Sequence, residues 1–149
     1  MKKILVLSIL VVLILLGLAF CNTERDYKFI HPESEIVEIA FGKIEKADDG
    51  ESDGIEHVFI PDRTFSGNKI TEILNAFKQM KCFYIATDPH SMYAGTLGMK
   101  ILYSNGDFEI TNDFAQATYK SGRYKSTGYY CFEAEEFLAF LENYLGTSG

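Results

Sequence analysis

The side chains of this sequence best equipped for chemistry are three histidines, three cysteines and a run of carboxylates in its first half. Asp49-x-Glu51-x-Asp53-Gly54 echoes the opening of a calcium loop, in which alternate carboxylates turn toward one ion. That motif also needs an acidic ligand at its twelfth position, which here is Ile60, and flanking helices, so the stretch reads as a solvated turn between strands. His31, His57 and His90 fall in no His-x-x-x-His spacing, and no Cys-x-x-Cys is present. Glu56-His57 and Asp88-Pro89-His90 set carboxylates beside imidazoles, but neighbours on a strand point to opposite faces. No metal and no cofactor is expected. A Gly-x-Ser-x-Gly elbow and a phosphate-cradling glycine loop are both missing. Hydrolytic chemistry would have to be assembled from the scattered groups His57, Asp62, Asp88 and His90.

Tyrosine is the other concentrated resource. Tyr93, Tyr103, Tyr119, Tyr124, Tyr129 and Tyr130 crowd the second half, with Lys120, Arg123 and Lys125 between some of them. Tyrosine suits a surface that is both apolar and wet, so Tyr119, Lys120, Arg123, Tyr124 and Tyr129 form a candidate interaction surface. The plainer alternative is that tyrosines favour strands and half of these face a core.

The elements that must position these groups can be read from periodicity. Residues 22–34 are polar, broken by His31-Pro32, and read as a tether. From Glu35, the alternation of Val37, Ile39 and Phe41 predicts a strand. Val58-Phe59-Ile60 predicts a second, ended by Pro61-Asp62. Ile70, Ile73, Leu74 and Phe77 lie on one helical face, with Ser66 or Asn68 as cap. Cys82 to Ala86 is strand-like. Asn105-Gly106 between alternating segments predicts a two-residue hairpin, with Tyr103 facing Phe108, Ile101 facing Ile110 and Leu97 facing Phe114. One face would then gather Leu97, Met99, Ile101, Tyr103, Phe108, Ile110 and Phe114, while Leu102 and Glu109 face solvent. A second hairpin turns at Ser121-Gly122, with Tyr119 facing Tyr124. Phe137, Phe140, Leu141, Tyr144 and Leu145 stripe a last helix, ended by Gly146. The expectation is one α+β domain over residues 35–146. Its order is β-β-α-β-β-β-β-α, with a mainly antiparallel sheet and both helices packed on one face.

Ahead of this domain, Lys2 and Lys3 precede an apolar run from Ile4 to Phe20 with no polar face. This is the layout of a secretory signal or signal anchor over residues 1–21. Seventeen residues at about 1.5 Å span roughly 25 Å, slightly short of the ~30 Å hydrocarbon layer. The positive-inside rule places the chain beyond residue 21 outside the cytoplasm. Leu18-Ala19-Phe20-Cys21 resembles the lipobox of bacterial lipoproteins, which implies lipidation of Cys21. Phe20 departs from the small residue that family has at this position. Two other outcomes stay open: cleavage after Ala19, and retention as an uncleaved anchor.

Beyond Cys21 the charge is about −9, the −7 of the whole chain less the two lysine charges. That excludes nucleic acid, whose binding rests on cations neutralising phosphates. Cys82 and Cys131 form an even pair in an oxidising compartment, hence a candidate disulfide, with two buried thiols as the alternative. Taken together, these features predict a non-enzymatic binding domain on the extracytoplasmic face of the cell membrane. It would be held there by lipid or helix and would meet an envelope or extracellular protein. The alternative is a small extracytoplasmic hydrolase. Acyl labelling of the parent chain, lost in Cys21→Ala, is the outcome expected of a lipoprotein. Unchanged labelling of that variant would exclude Cys21 as the acceptor.

Overall fold

In the computed structural model of the chain, residues 2–21, 24–46, 57–84, 95–127 and 130–146 are described. Side chains are described for 6–17, 26–45, 58–83, 95–123 and 132–146. Helix α1 (Lys2–Cys21) takes up the apolar run. It has no polar stripe, and its large side chains from Val6 to Leu16 are 47–65% exposed. Among the described residues no helix is long and apolar enough to cross a membrane.

The rest is α+β. Strands β2 (Ile36–Lys46), β3 (His57–Phe65), β5 (Thr96–Tyr103), β6 (Phe108–Thr111), β7 (Gln116–Lys120) and β8 (Arg123–Thr127) form one antiparallel sheet in the order β3-β2-β5-β6-β7-β8. Strands β1 (Glu24–Arg25), β4 (Cys82–Tyr84) and β9 (Tyr130–Phe132) form a second, small antiparallel sheet in the order β1-β4-β9. Six strands therefore separate the two domain helices, α2 (Asn68–Phe77) and α3 (Ala134–Leu145), where four were expected. Both helices lay their apolar stripes on the same sheet face. Ile73, Phe77, Phe137 and Leu141 bury against Ile39, Phe41, Met99 and Ile101.

Several local expectations are corrected. From Glu24 on, the expected tether is not free: β1 pairs with β4, and Tyr27, Phe29 and Ile30 pack on the main core, while 22 and 23 lie outside the described residues. Tyr27 sits edge-on to Phe29 and Phe77. A 3₁₀ turn (Glu33–Glu35) then leads into β2. The N-cap position of α2 is Gly67, with φ +62, rather than Ser66 or Asn68. Pro61 does not end its strand. β3 runs through it because β3 is an edge, where a missing ladder N–H costs little. The extra residue Asp62 makes a bulge opposite Gly42. A Cβ on Gly42 would meet the Ile60 carbonyl oxygen at 2.0 Å, so only glycine fits there. A register shift near Ile36 buries that residue and leaves Val37 exposed.

The most consequential correction is the first hairpin. Tyr103 N–H donates to the Asp107 carbonyl and Gly106 N–H to the Tyr103 carbonyl, both at 2.9 Å. Gly106 has φ +86, and Asn105 is not among the residues with positive φ. The connection is therefore the three-residue loop Ser104-Asn105-Gly106 with a left-handed glycine, not a type I′ turn on Asn105-Gly106. Leu102 pairs with Phe108, Ile101 with Glu109, Lys100 with Ile110 and Met99 with Thr111. A one-residue slip sends every side chain of a strand to the other face. Glu109 and Thr111 turn inward, while Phe108 and Ile110 turn to the helix-free face. Ile110 is buried as expected, but in a small separate cluster with Ile44, Ala115 and Ala117. Phe114 belongs to no strand and is 45% exposed.

Ile101→Ala should cost about 2–5 kcal/mol in urea unfolding, because it empties a fully buried site. Phe114→Ala should stay within about 0.5 kcal/mol of the parent. Comparable losses at the two positions would restore the two-residue hairpin register.

Candidate functional site

The slipped register places a carboxyl group inside the protein. Glu109 is 0% exposed. Its Oε1 accepts the Tyr103 hydroxyl at 2.5 Å. Its Oε2 accepts the Gln116 side-chain amide and, at 3.4 Å, the Tyr27 hydroxyl. Gln116 also donates to the Lys28 carbonyl at 3.3 Å. Three separate pieces of chain thus supply the donors: β5, β7 and the segment that leads in from α1. Gln116 is aimed by the connection before it, where Asn112 Oδ1 accepts the amides of Phe114 at 2.9 Å and Ala115 at 2.7 Å.

Burial is the largest influence on this carboxyl and favours its neutral form. The donors from Tyr103, Gln116 and Tyr27 oppose it, and the balance raises Glu109 from an ordinary 4.5 to about 7. Tyr103 and Tyr27 are held above the normal phenol range, first by burial and then by the Glu109 charge.

Beside this cluster lies a second one. His31 Nε2 meets Asp107 Oδ2 at 2.7 Å, and its ring stands edge-on to Tyr103 with centroids 5.0 Å apart. Asp107 Oδ1 accepts the Ser121 amide at 2.9 Å. The Asn105 side-chain amide reaches Asp107 Oδ2 at 3.2 Å. The Ser121 amide first and His31 second hold the Asp107 carboxyl below its usual range. His31 therefore does not break a tether; it fastens the incoming segment to the turns of two hairpins.

Catalysis needs a group within reach of a substrate. Glu109 is sealed, and it lines neither of two surface grooves. One groove, of about 540 Å³, lies between the start of β2 and α2, lined by Glu33, Ile36, Val37, Ile70 and Asn75 among others. The other, of about 230 Å³, lies between β5 and α3 beside Asp113 and Leu138. Of the four groups considered for hydrolysis, Asp88 and His90 lie outside the described residues. His57 begins β3, and Asp62 is exposed at its bulge. Among the described residues no group of three or more His, Cys, Asp or Glu could hold a metal ion.

Cys21 is the last residue of α1. Cys82 is buried in β4 opposite Phe132, while Cys131 in β9 stands opposite Phe83. The register thus sets the two cysteines diagonally rather than face to face, off the direct cross-strand pair. The second tyrosine hairpin has its expected register: Tyr119 opposes Tyr124 and Lys120 opposes Arg123, around Ser121 (φ +52) and Gly122 (φ +75). Tyr129 lies outside the described residues.

On the helix-free face Tyr119 is half-buried and stacks on Phe108, with centroids 4.9 Å apart and planes at 11°. Lys100 Nζ stands over the Phe108 ring at 4.3 Å. Lysine, phenylalanine and tyrosine from β5, β6 and β7 therefore form a ladder across the sheet, outside any helix contact. Lys120 and Arg123 are exposed, at positions that alternate to the opposite face of the sheet from Tyr119. Sequence reasoning missed Phe108 here, and on the covered face Tyr27, His31, Asp107, Glu109 and Gln116; it placed Tyr103 on that face without its carboxyl partner. Asn105-Gly106 also fits the three-residue loop, and that register would have found Phe108 and Glu109. No protein-family model, curated protein or solved structure matches the chain.

Because Glu109 is raised in the fold, its contribution to stability is complete below about pH 4.5 and is lost as pH rises through 7. The loss should amount to about 3 kcal/mol between pH 4.5 and 8. Glu109→Gln should remove this slope, measured by urea unfolding at several pH values. An equally steep slope in the variant would assign it to another group.

Proposed function

We propose that the chain is a non-enzymatic binding domain, exported and held at the extracytoplasmic face of the cell membrane, that meets an envelope protein with its helix-free sheet face. The observation that carries this reading is the Lys100, Phe108 and Tyr119 ladder. Aromatic pairs are worth about 0.5–1.5 kcal/mol beyond their area, and a half-buried tyrosine keeps both an apolar ring and a polar tip for a partner. The Glu109 carboxyl, raised to about 7, is enclosed and already holds its donors. Its role is to bind elements together rather than to move a proton on a substrate.

Anchoring is the second half of the reading. Helix α1 carries exposed apolar side chains all along its described length, a surface that lipid would cover. Lipid on Cys21 or the helix itself would then tie the domain to the membrane, and cleavage after Ala19 would release it.

Tyr119→Ala should reduce capture of a partner from solubilised envelope severalfold while leaving the melting temperature near that of the parent. Phe114→Ala, at an exposed position outside the ladder, should capture normally. Equal capture by all three proteins would move the contact surface away from this face.

A further inference from the structure

We propose that the outer edge of β8 takes an acidic, extended segment of a partner protein as an added strand; this deepens the binding-domain reading and rests on it. β8 is the last strand of the six-stranded sheet, and no described strand pairs with its other side. A terminal strand presents a row of backbone donors and acceptors that another chain can pair with. The charge around it is reversed relative to the rest of the domain. From Phe114 to Phe132 the sequence has Lys120, Arg123 and Lys125 and no Asp or Glu. The exported part as a whole stands at about −9, so the remainder outside this stretch is near −12. Among the described residues neither Lys120 nor Arg123 is held in an ion pair. Arg123 and Lys125 are two apart on β8, and the register opposes them to Lys120 and Thr118. Alternate positions on a strand repeat at about 7 Å, which is also the repeat of alternate residues on an added strand. A partner strand with acidic residues at alternate positions matches both the hydrogen-bonding edge and the charge.

The position of this hairpin favours a protein over the bilayer. Tyr27, soon after the anchor, lies at Glu109 and Gln116, and His31 lies at Asp107, whose carboxylate holds Ser121. The chain thus enters near the start of β7, and the Ser121-Gly122 turn is at the other end, about 13 Å further along the strand.

The test uses the full chain in phosphatidylcholine vesicles and a fluorescent peptide alternating glutamate with valine. Saturable binding is expected, with slowed amide exchange over Arg123–Thr127. Arg123→Glu combined with Lys125→Glu should weaken binding by about tenfold, as should raised salt. Exposed Lys120→Glu is the second variant, should the pair disturb folding by circular dichroism. The same peptide with alternate amides N-methylated should bind poorly, because it cannot pair along the edge.

Equal binding of the N-methylated peptide would overturn strand addition. No saturable binding in the parent would overturn the acidic segment. Cation-dependent binding to phosphatidylserine vesicles without peptide binding would assign the patch to the membrane. Self-association lost in the double variant would assign it to a second copy. If the peptide fails while Tyr119→Ala still reduces partner capture, only the acidic strand is overturned and the binding face stands.

Discussion

Burying Glu109 is the constraint on which much of the arrangement depends. An isolated carboxylate in an apolar interior would cost many kcal/mol, so it must be neutralised or surrounded by donors. Here both occur. Tyr103, Gln116 and Tyr27 converge on it from three parts of the chain, while burial raises it to about 7. No one of those elements could satisfy it alone. The cluster thereby fixes β5, β6 and β7 relative to one another and draws the segment after α1 onto the sheet. His31 and Asp107 extend the same fastening to the turns of both hairpins.

That fastening changes what the N-terminal region is. β1 begins at Glu24, three positions after Cys21, and Tyr27 and Phe29 are already part of the core. On the proposed reading of α1 or Cys21 as an anchor, little chain would separate that anchor from the folded domain. A domain anchored that closely would have limited freedom to turn, so the end of the sheet nearest the anchor would bear on what it could bind. The segment runs from the start of β7 to the hairpin turns, where His31 and Asp107 fasten it beside Ser121.

The two sheet faces divide the work. Two helices with single apolar stripes need only one face, and they cover Ile39, Phe41, Met99 and Ile101. The other face is built more sparingly, from Ala40, Ile44, Ile110 and Ala117 between the ladder residues. Close approach helps it: a Cβ on Gly98 would meet Ile44 Cδ1 at 2.7 Å and the Thr111 carbonyl oxygen at 2.8 Å.

Sequence alone determined the α+β class, the antiparallel hairpins, the two helical stripes, the Gly146 cap and the tyrosine hairpin register. Each rests on local periodicity or on a turn residue whose backbone preference is strong. The apolar N-terminal run was equally legible, because nothing else in the chain lacks a polar face over such a length. Only the tertiary structure decided whether Asn105-Gly106 closed a two-residue or a three-residue loop, since both accept a left-handed glycine. That choice turned Glu109 inward and Phe108 to the other face, so the sealed cluster and the place of Phe108 in the ladder lay beyond local pattern. The segment 24–31 was illegible for a related reason. Its polar composition reads as tether, and its place in the core depends on a carboxyl more than eighty residues away that needs its tyrosine.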